Sequence, residues 1–387
     1  MQTKPATHLP QTTRARHPTE GVTHEVIRLC HAGLDSRTLR IEALALVAPV
    51  VPCAATCFLT TDPATLLLTS AVVQAFEPQT VPAFVSNEYL EDDFIKFSHL
   101  AKLRQPVSTL DRATRGTPAR SRRYREVLEP HGLSHELRMV FRSGGTAWGA
   151  MCLHRETRNQ DFTAADVAFF TVIAPHLAAG LRRATLLDAA GATRAVDSPG
   201  LLLLADDLTV LSATPAARLL LDEVSEKGHW PHGDVPPLPV CTAVAQLRAQ
   251  EREAEPAGGG APSVRLRTRT GHWLTLHVSR MTRTADQISV IIEQAAPGEV
   301  APCVLQAYAL TTREQQVAAL VLKGLSTEDI AARLCISALT VQQHLKAIFD
   351  KADVRSRREL VAQIFAQSYW PAMANDYGLS PESWSPA

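Results

Sequence analysis

Residues 337–358 gather side chains suited to one kind of chemistry, the reading of a nucleic-acid surface. Gln342, Gln343, Lys346 and Asp350 fall on the polar side of a helical repeat whose apolar side is Val341, Leu345, Ile348 and Phe349. A glutamine amide offers a donor and an acceptor side by side, the complement of an adenine edge, while a lysine ammonium donates to guanine or to phosphate. Lys346, Lys351, Arg355, Arg357 and Arg358 oppose only Asp350 and Asp353, a local excess of three positive charges. Bulk composition hides that patch, because Lys+Arg and Asp+Glu both number 39 in 387 residues. Any nucleic-acid contact must therefore be local.

No comparable constellation points to catalysis. The sequence has no Gly-x-x-x-x-Gly-Lys-Ser/Thr phosphate loop and no Gly-x-Ser-x-Gly elbow, and His135-Glu136 lacks the second histidine of a zinc-protease helix. An enzyme is not expected. The seven cysteines, an odd number scattered through apolar segments, read as free thiols of a reducing compartment. Cys53 and Cys57 are close, but no second Cys/His pair completes a four-ligand zinc site, so no metal is expected. Cys152 reads as an inert buried thiol in preference to a redox sensor. Arg112, Arg115, Arg120, Arg122, Arg123 and Arg125 read as a solvated loop of charge, with anion or DNA-phosphate binding as the alternative. His344 reads as a packed or capping residue. No cofactor is evident, since none of the 14 histidines stands out as a haem or flavin ligand.

The polar face needs helices to hold it, and their punctuation is explicit. Thr311 followed by Glu314 is a capping box that opens a helix over residues 312–323 with Val317, Leu320 and Val321 on one face, and Gly324 can end it in a left-handed conformation. Ser326 with Asp329 caps a short helix bearing Ile330, Ala331 and Leu334, which ends near Cys335. Ser337 caps the third helix, and Ser356 with Glu359 opens a fourth through Leu360, Val361, Ile364 and Phe365. A short helix, a three-residue turn and a longer helix with a polar outer face is the geometry that places one helix in the major groove.

This stretch closely resembles the LuxR-type helix-turn-helix family. The matching text is Leu310-Thr-Thr-Arg-Glu, Gly324-Leu-Ser, Asp329-Ile-Ala-Ala-Arg-Leu, Ile336-Ser, Thr340-Val, His344-Leu, Lys351 and Val354-Arg-Ser-Arg. The resemblance implies that Gln342, Gln343 and Lys346 face DNA bases, and that Thr327, Ser337, Thr340, Lys351, Arg355 and Arg357 lie toward the phosphate backbone. It also implies a homodimer through the fourth helix, with Leu360, Val361, Ile364 and Phe365 as candidates; pure core packing is the alternative for them. Three positions depart from the family pattern: Gln316 where Glu is usual, Thr327 where Asn is usual, and Gln342 where Lys is usual. Losing that lysine removes a phosphate contact without touching the fold.

Upstream, residues 21–190 open with a helical stretch through Val26, Ile27 and Leu29 and include a helix-like run over residues 91–103. Two apolar runs then flank Gly144-Gly145 as a hairpin, before a long helix with Val167, Phe170, Ile173, Leu177 and Leu181 on one face. The region resembles a GAF domain, on Trp148-Gly-Ala-Met-Cys-Leu-His as a late central strand and Phe162-Thr-Ala-Ala-Asp-Val as the start of the last helix. Residues 199–296 read as two strands, a helix beginning at Pro215 and three more strands. They resemble a PAS domain in element order, from Gly200-Leu-Leu-Leu-Leu-Ala-Asp-Asp through Ala213-Thr-Pro-Ala-Ala. Both folds are cups that commonly hold a small ligand or form a dimer interface.

The expected architecture is multidomain α+β: a disordered arm at 1–20, a GAF-like α/β sensor domain at 21–190, a linker at 191–198, a PAS-like α+β domain at 199–296, a linker at 297–307, an all-α four-helix LuxR-type helix-turn-helix at 308–368 and a tail at 369–387. No run reaches about 18 uninterrupted apolar residues, so a cytoplasmic, nucleoid-associated placement is expected. Expected partners are double-stranded DNA, a second copy of the chain and RNA polymerase, with no membrane; an unnamed ligand suits the GAF-like cup. A signalling scaffold whose terminal bundle does not read DNA is the competing reading. A phosphorylated response regulator is disfavoured, because Glu91, Asp92 and Asp93 lie in a helical stretch. The tryptophan and tyrosine pattern of an acyl-homoserine-lactone pocket is not evident.

Overall fold

The computed structural model describes residues 18–187, 198–225, 228–230, 235–252, 262–282 and 286–368. The arm up to residue 17, the linker at 191–197 and the tail from 369 lie outside the described residues. Residues 18–20, expected in the arm, already belong to α1 (Pro18–Cys30). Next come α2 (Ser36–Val47), β1 (Ala55–Thr61), β2 (Leu68–Gln74), α3 (Val81–Leu90), α4 (Phe97–Leu100), β3 (Val107–Thr109) and α5 (Leu110–Thr114). The hairpin of β4 (Leu133–Ser143) and β5 (Thr146–Glu156) leads to α6 (Ala164–Ala184). A second sheet follows, made by β6 (Gly200–Ala205) and β7 (Val210–Ala213), then α7 (Pro215–Val224) and α8 (Leu238–Arg252), then β8 (Ser263–Arg267), β9 (Trp273–Arg280) and β10 (Gln287–Gln294). Helices close the described chain: α9 (Pro297–Ala307), α10 (Thr312–Leu322), α11 (Thr327–Leu334), α12 (Ala338–Ala352) and α13 (Arg357–Ser368).

The first sheet runs β2-β1-β5-β4-β3 and the second β7-β6-β10-β9-β8, with antiparallel pairing throughout. Strand alternation sorts the first sheet into two buried faces. Phe58, Phe141 and Met151 pack under α1, α2 and α6 with Val26, Leu39, Ile173 and Leu177. Leu59, Val140, Ala150 and Cys152 turn to the opposite face, against Leu100, Leu110 and Leu128. Each of the Val, Leu, Ile, Phe and Met side chains among them contributes roughly 1.5–3 kcal/mol by leaving water. Gly149 is required where α6 crosses β5, because a Cβ there would stand 2.5 Å from the Leu59 carbonyl oxygen. By length and composition α6 could cross a membrane, yet its Phe169, Phe170, Ile173 and Leu177 are spent on the sheet.

The hairpin expected at Gly144-Gly145 is present, with both glycines at positive φ. Other segments depart from the sequence pattern. The helix expected over residues 91–103 is reduced to α4, while the preceding helix is α3; Asp93 leaves helical hydrogen bonding to accept from the backbone of Phe94 and Arg123. The strand expected at residues 208–211 starts later, at Val210, because Leu208 sits in a turn at φ 73. Helices α2 and α8 form where none was assigned. Residues 297–307, expected as a linker, form α9, whose Val300, Val304 and Leu305 are buried in one core with α10 to α13.

Candidate nucleic-acid interface

Packing within the terminal core determines which side of α12 is left to solvent. Val341, Leu345, Ile348 and Ala352 turn inward against Val317, Val321, Ile330 and Leu360. Gln342, Gln343, Lys346 and Asp350 are exposed on the other side. Leu339, 65% exposed on the first turn of α12, is a residue the sequence reading missed. Its signal was available: a leucine two residues after a cap and outside the apolar stripe has no core to enter. Such a side chain can meet a thymine methyl.

Caps fix the helices rigidly. The Ser337 hydroxyl accepts from the Thr340 amide at 3.0 Å and lies 2.8 Å from the Thr340 hydroxyl. Ser326 and Asp329 form a complete capping box on α11, where Thr327 is half-buried in the first turn. Ser356 caps the Glu359 amide at 3.1 Å, while the Glu359 carboxylate accepts from the Arg355 amide at 2.7 Å. The three-residue turn between α11 and α12 starts at Cys335, held left-handed at φ 53, and Gly324 ends the α10 segment at φ 81 as expected. Arg313 braces α10 to the end of α11, donating to the Leu334 carbonyl at 2.7 Å and to Gln316 at 2.9 Å. Gln316 thus takes part as an amide acceptor.

Two parts of this surface are already engaged within the domain. Lys351 is not a loose positive charge: its Nζ donates to Glu314 Oε2 at 2.6 Å, and the same oxygen accepts from the Thr311 amide at 2.7 Å. Burial opposes ionisation of Glu314, but the Lys351 and Thr311 hydrogen bonds outweigh it and hold the carboxyl below its ordinary range. The positive excess around α12 is therefore smaller than the count of residues suggests. Arg357 is half-buried and donates to the Leu325 carbonyl, whereas Lys346, Arg355 and Arg358 are exposed. The other part is α13, where core packing was the alternative for the four candidates. Leu360 and Ile364 are 0% and 1% exposed within the domain's own core, leaving only Val361 and Phe365 outward. Helical periodicity splits the four candidates between two faces.

The Arg112–Arg125 cluster is neither an open anion site nor a fully solvated loop. Arg123 is buried, with Nη2 on Glu136 Oε2 at 2.7 Å and Nη1 on Asn87 Oδ1 at 2.9 Å. Arg122 pairs with Glu91 and Glu126, each at 2.7 Å, and Arg120 stacks over Phe94. Arg112 and Arg115 stay exposed. Burial pushes the Cys152 thiol up to about 12, as suits an inert thiol.

Arginines also join the units. Arg265 of β8 binds Asp62, beyond β1, at 3.0 Å and donates to the Glu299 carbonyl of α9 at 3.1 Å. Arg267 donates to the Ala184 carbonyl at the end of α6, and Arg182 of α6 to the Ala307 carbonyl at the end of α9, both at 2.8 Å. No periodicity announces such residues, because each partner lies more than 30 positions away in the chain.

Comparisons with known proteins agree with the geometry. Residues 308–364 match the family described as bacterial regulatory proteins, luxR family, and residues 38–181 match the GAF domain. A protein of Aeromonas salmonicida named for an HTH-type transcriptional regulator in the exeN 3′ region is 53% identical over 51 residues, which is 13% of this chain and 26% of that protein. The chain thus spans about a quarter of the length of that relative. Among solved structures, the phage VqmA–DPO complex shows 17% identity over 49% of this chain and 87% of that one, with a TM-score of 0.25. Escherichia coli SdiA shows 10% identity over 90% of this chain and 97% of its own, with a TM-score of 0.29. At these scores neither superposes on this chain as a whole.

Proposed function

We propose that this chain, which carries a luxR-family helix-turn-helix domain at its C-terminal end and a GAF domain upstream, is a sequence-specific, non-catalytic transcription regulator. The observation that carries the reading is the exposed Gln342, Gln343 and Lys346 face on a helix whose other side is locked in a core. In the proposed complex α12 enters the major groove, the two glutamines and Lys346 meet base edges, and Leu339 adds an apolar contact. Thr327, Ser337, Thr340, Arg355 and Arg357 approach the phosphates. Lys351 joins them with the donors its ammonium keeps beside the Glu314 pair. Val361, 38% exposed, and the partly exposed Phe365 are the part of α13 that a second copy would meet.

The GAF domain and the second sheet, which we read as PAS-like, receive the signal; the regulator acts in the cytoplasm, with RNA polymerase as the downstream partner. A mobility-shift titration over salt tests the reading. Affinity for duplex DNA should fall linearly on a log–log plot as counterions are released. Binding that ignores salt, or no binding at all, would contradict it.

A further inference from the structure

The seam between the two sheets holds a cavity of about 390 Å³, a size that takes a small organic molecule. One wall is the outer face of the first sheet, with Ala71 of β2 and Cys152 and His154 of β5. The facing wall comes from the second unit, through Trp230, Pro237 and Leu238. Phe76 and Phe84 add to the lining from the segments after β2. The space exists only because both units contribute to it.

Arg123 and Glu136 are set into the first wall, with Arg138 and Glu88 beside them off the cavity, and the charges of this layer are spent on one another. Arg123 donates to Glu136 and Arg138 to Glu88, each at 2.7 Å, with all four side chains buried. Among the described residues Nε and Nη1 of Arg138 have no hydrogen-bond partner, but that guanidinium lies 3.8 Å from the centre of the Phe97 ring and is not part of the cavity wall. A charged ligand pressed against this wall would lose its water and meet groups whose charges are already paired. At the rim, exposed Arg37 and Glu77 balance each other in sign.

His154 lies on the same wall. Its side chain is 4% exposed, its Nε2 stands 3.3 Å from Glu136 Oε1, and its Nδ1, itself buried, has no hydrogen-bond partner among the described residues. Burial opposes ionisation of Glu136, but Arg123 and the His154 hydrogen bond hold its carboxyl well below the usual range. The Phe76 ring stands edge-on to that imidazole at 5.0 Å.

Resting on the function proposed above, we infer that this cavity is the signal site, and that it takes an uncharged aromatic molecule of two or three rings. Seated against Ala71 and His154 on one side and Trp230 on the other, the ligand fixes the second unit against the GAF sheet. The same seam carries Arg265, whose grip on Asp62 and on the Glu299 carbonyl passes its position to α9 and so to the helix-turn-helix.

The full chain can be titrated by calorimetry with 2-naphthol, and with 2-naphthoate and 2-naphthylmethylammonium as charged counterparts. The neutral probe should bind at micromolar concentration and at least tenfold more tightly than either charged one. Ala71→Phe fills the cavity from the first wall and Trp230→Ala removes part of the second; each should weaken binding at least tenfold with an unchanged far-UV spectrum. Should Trp230→Ala fail to fold, Trp230→Phe gives the second measurement: quenching of protein fluorescence by bound 2-naphthol should fall, and unchanged quenching overturns the shared wall. No binding of 2-naphthol, equal binding of a charged probe, or wild-type affinity in folded Trp230→Ala also overturns the inference. A mobility shift on the same preparations separates the two proposals. Chain that binds DNA but ignores 2-naphthol overturns this site alone, and chain that binds 2-naphthol but no DNA overturns the regulator reading alone.

Discussion

Two stretches of this chain concentrate basic residues, and the fold uses them in opposite ways. Around α12, Lys346, Arg355 and Arg358 stay exposed beside a polar helical face. In the Arg112–Arg125 segment, Arg123 becomes one of the most buried side chains of the molecule, held by Glu136 and Asn87. The difference lies in the partners. The α12 helix has an apolar stripe that turns its charges outward, whereas the arginine segment has no such stripe and lies over β4, where Glu136 and Arg138 interrupt an apolar strand. A run of positive charge therefore says little until the buried acids it could meet have been located.

The largest expected effect sharpens that contrast. Removing one member of a buried pair leaves the other uncompensated, so Glu136→Ala should cost about 3–5 kcal/mol in urea denaturation. Arg122→Ala, on the exposed side of the same segment, should leave the denaturation midpoint unchanged within error. Equal effects would erase the distinction between the inner and outer halves of the cluster.

Acid should expose the same layer. Glu136, Asp93 and Glu314 are all held below their ordinary pKa in the folded chain: burial opposes ionisation at each, and hydrogen bonds and nearby cations outweigh it. Their contribution is complete above the unfolded carboxylate range, about pH 4, and is lost as pH falls from there toward the folded values. Thermal melts between about pH 6 and 3 should show the decline beginning near pH 4 to 5, and Glu136→Gln should flatten it. An unchanged acid limb in that variant would remove Glu136 from the account.

On α12 the effect should appear in recognition and not in stability. Gln343→Ala or Lys346→Ala should lower discrimination at one base position by about 1–3 kcal/mol, with folding stability within about 0.5 kcal/mol of wild type. The smallest effect expected is a gain. Cys335 is exposed and left-handed at φ 53, a conformation that costs a residue with a Cβ roughly 1–2 kcal/mol. Cys335→Gly should recover about 1 kcal/mol in chemical denaturation and leave the DNA footprint unchanged.

Local signals made the terminal helices legible. Thr311, Ser326 and Ser337 cap where their spacing to Glu314, Asp329 and the apolar stripe placed them, and Gly324 ends α10 as its lack of a Cβ allows. The hairpin at Gly144-Gly145 and the Thr163 cap of α6 were legible for the same reason. Long-range contacts were not. The pairing of Lys351 with Glu314 spans two helices, and the Arg265 joint spans three units. The division of α13 into a buried Leu360 and Ile364 and an outward Val361 and Phe365 depended on where α9 packs, and α9 itself had been expected as a linker.

The central claim is that the outward face of α12 reads base sequence. Selection of bound duplexes from a randomised library, sequenced for wild type and Gln343→Ala side by side, tests it most directly. Wild type should enrich a defined motif, and Gln343→Ala should relax it at one position while keeping the rest. No enriched motif for wild type, or an identical motif for the variant, would contradict the assignment.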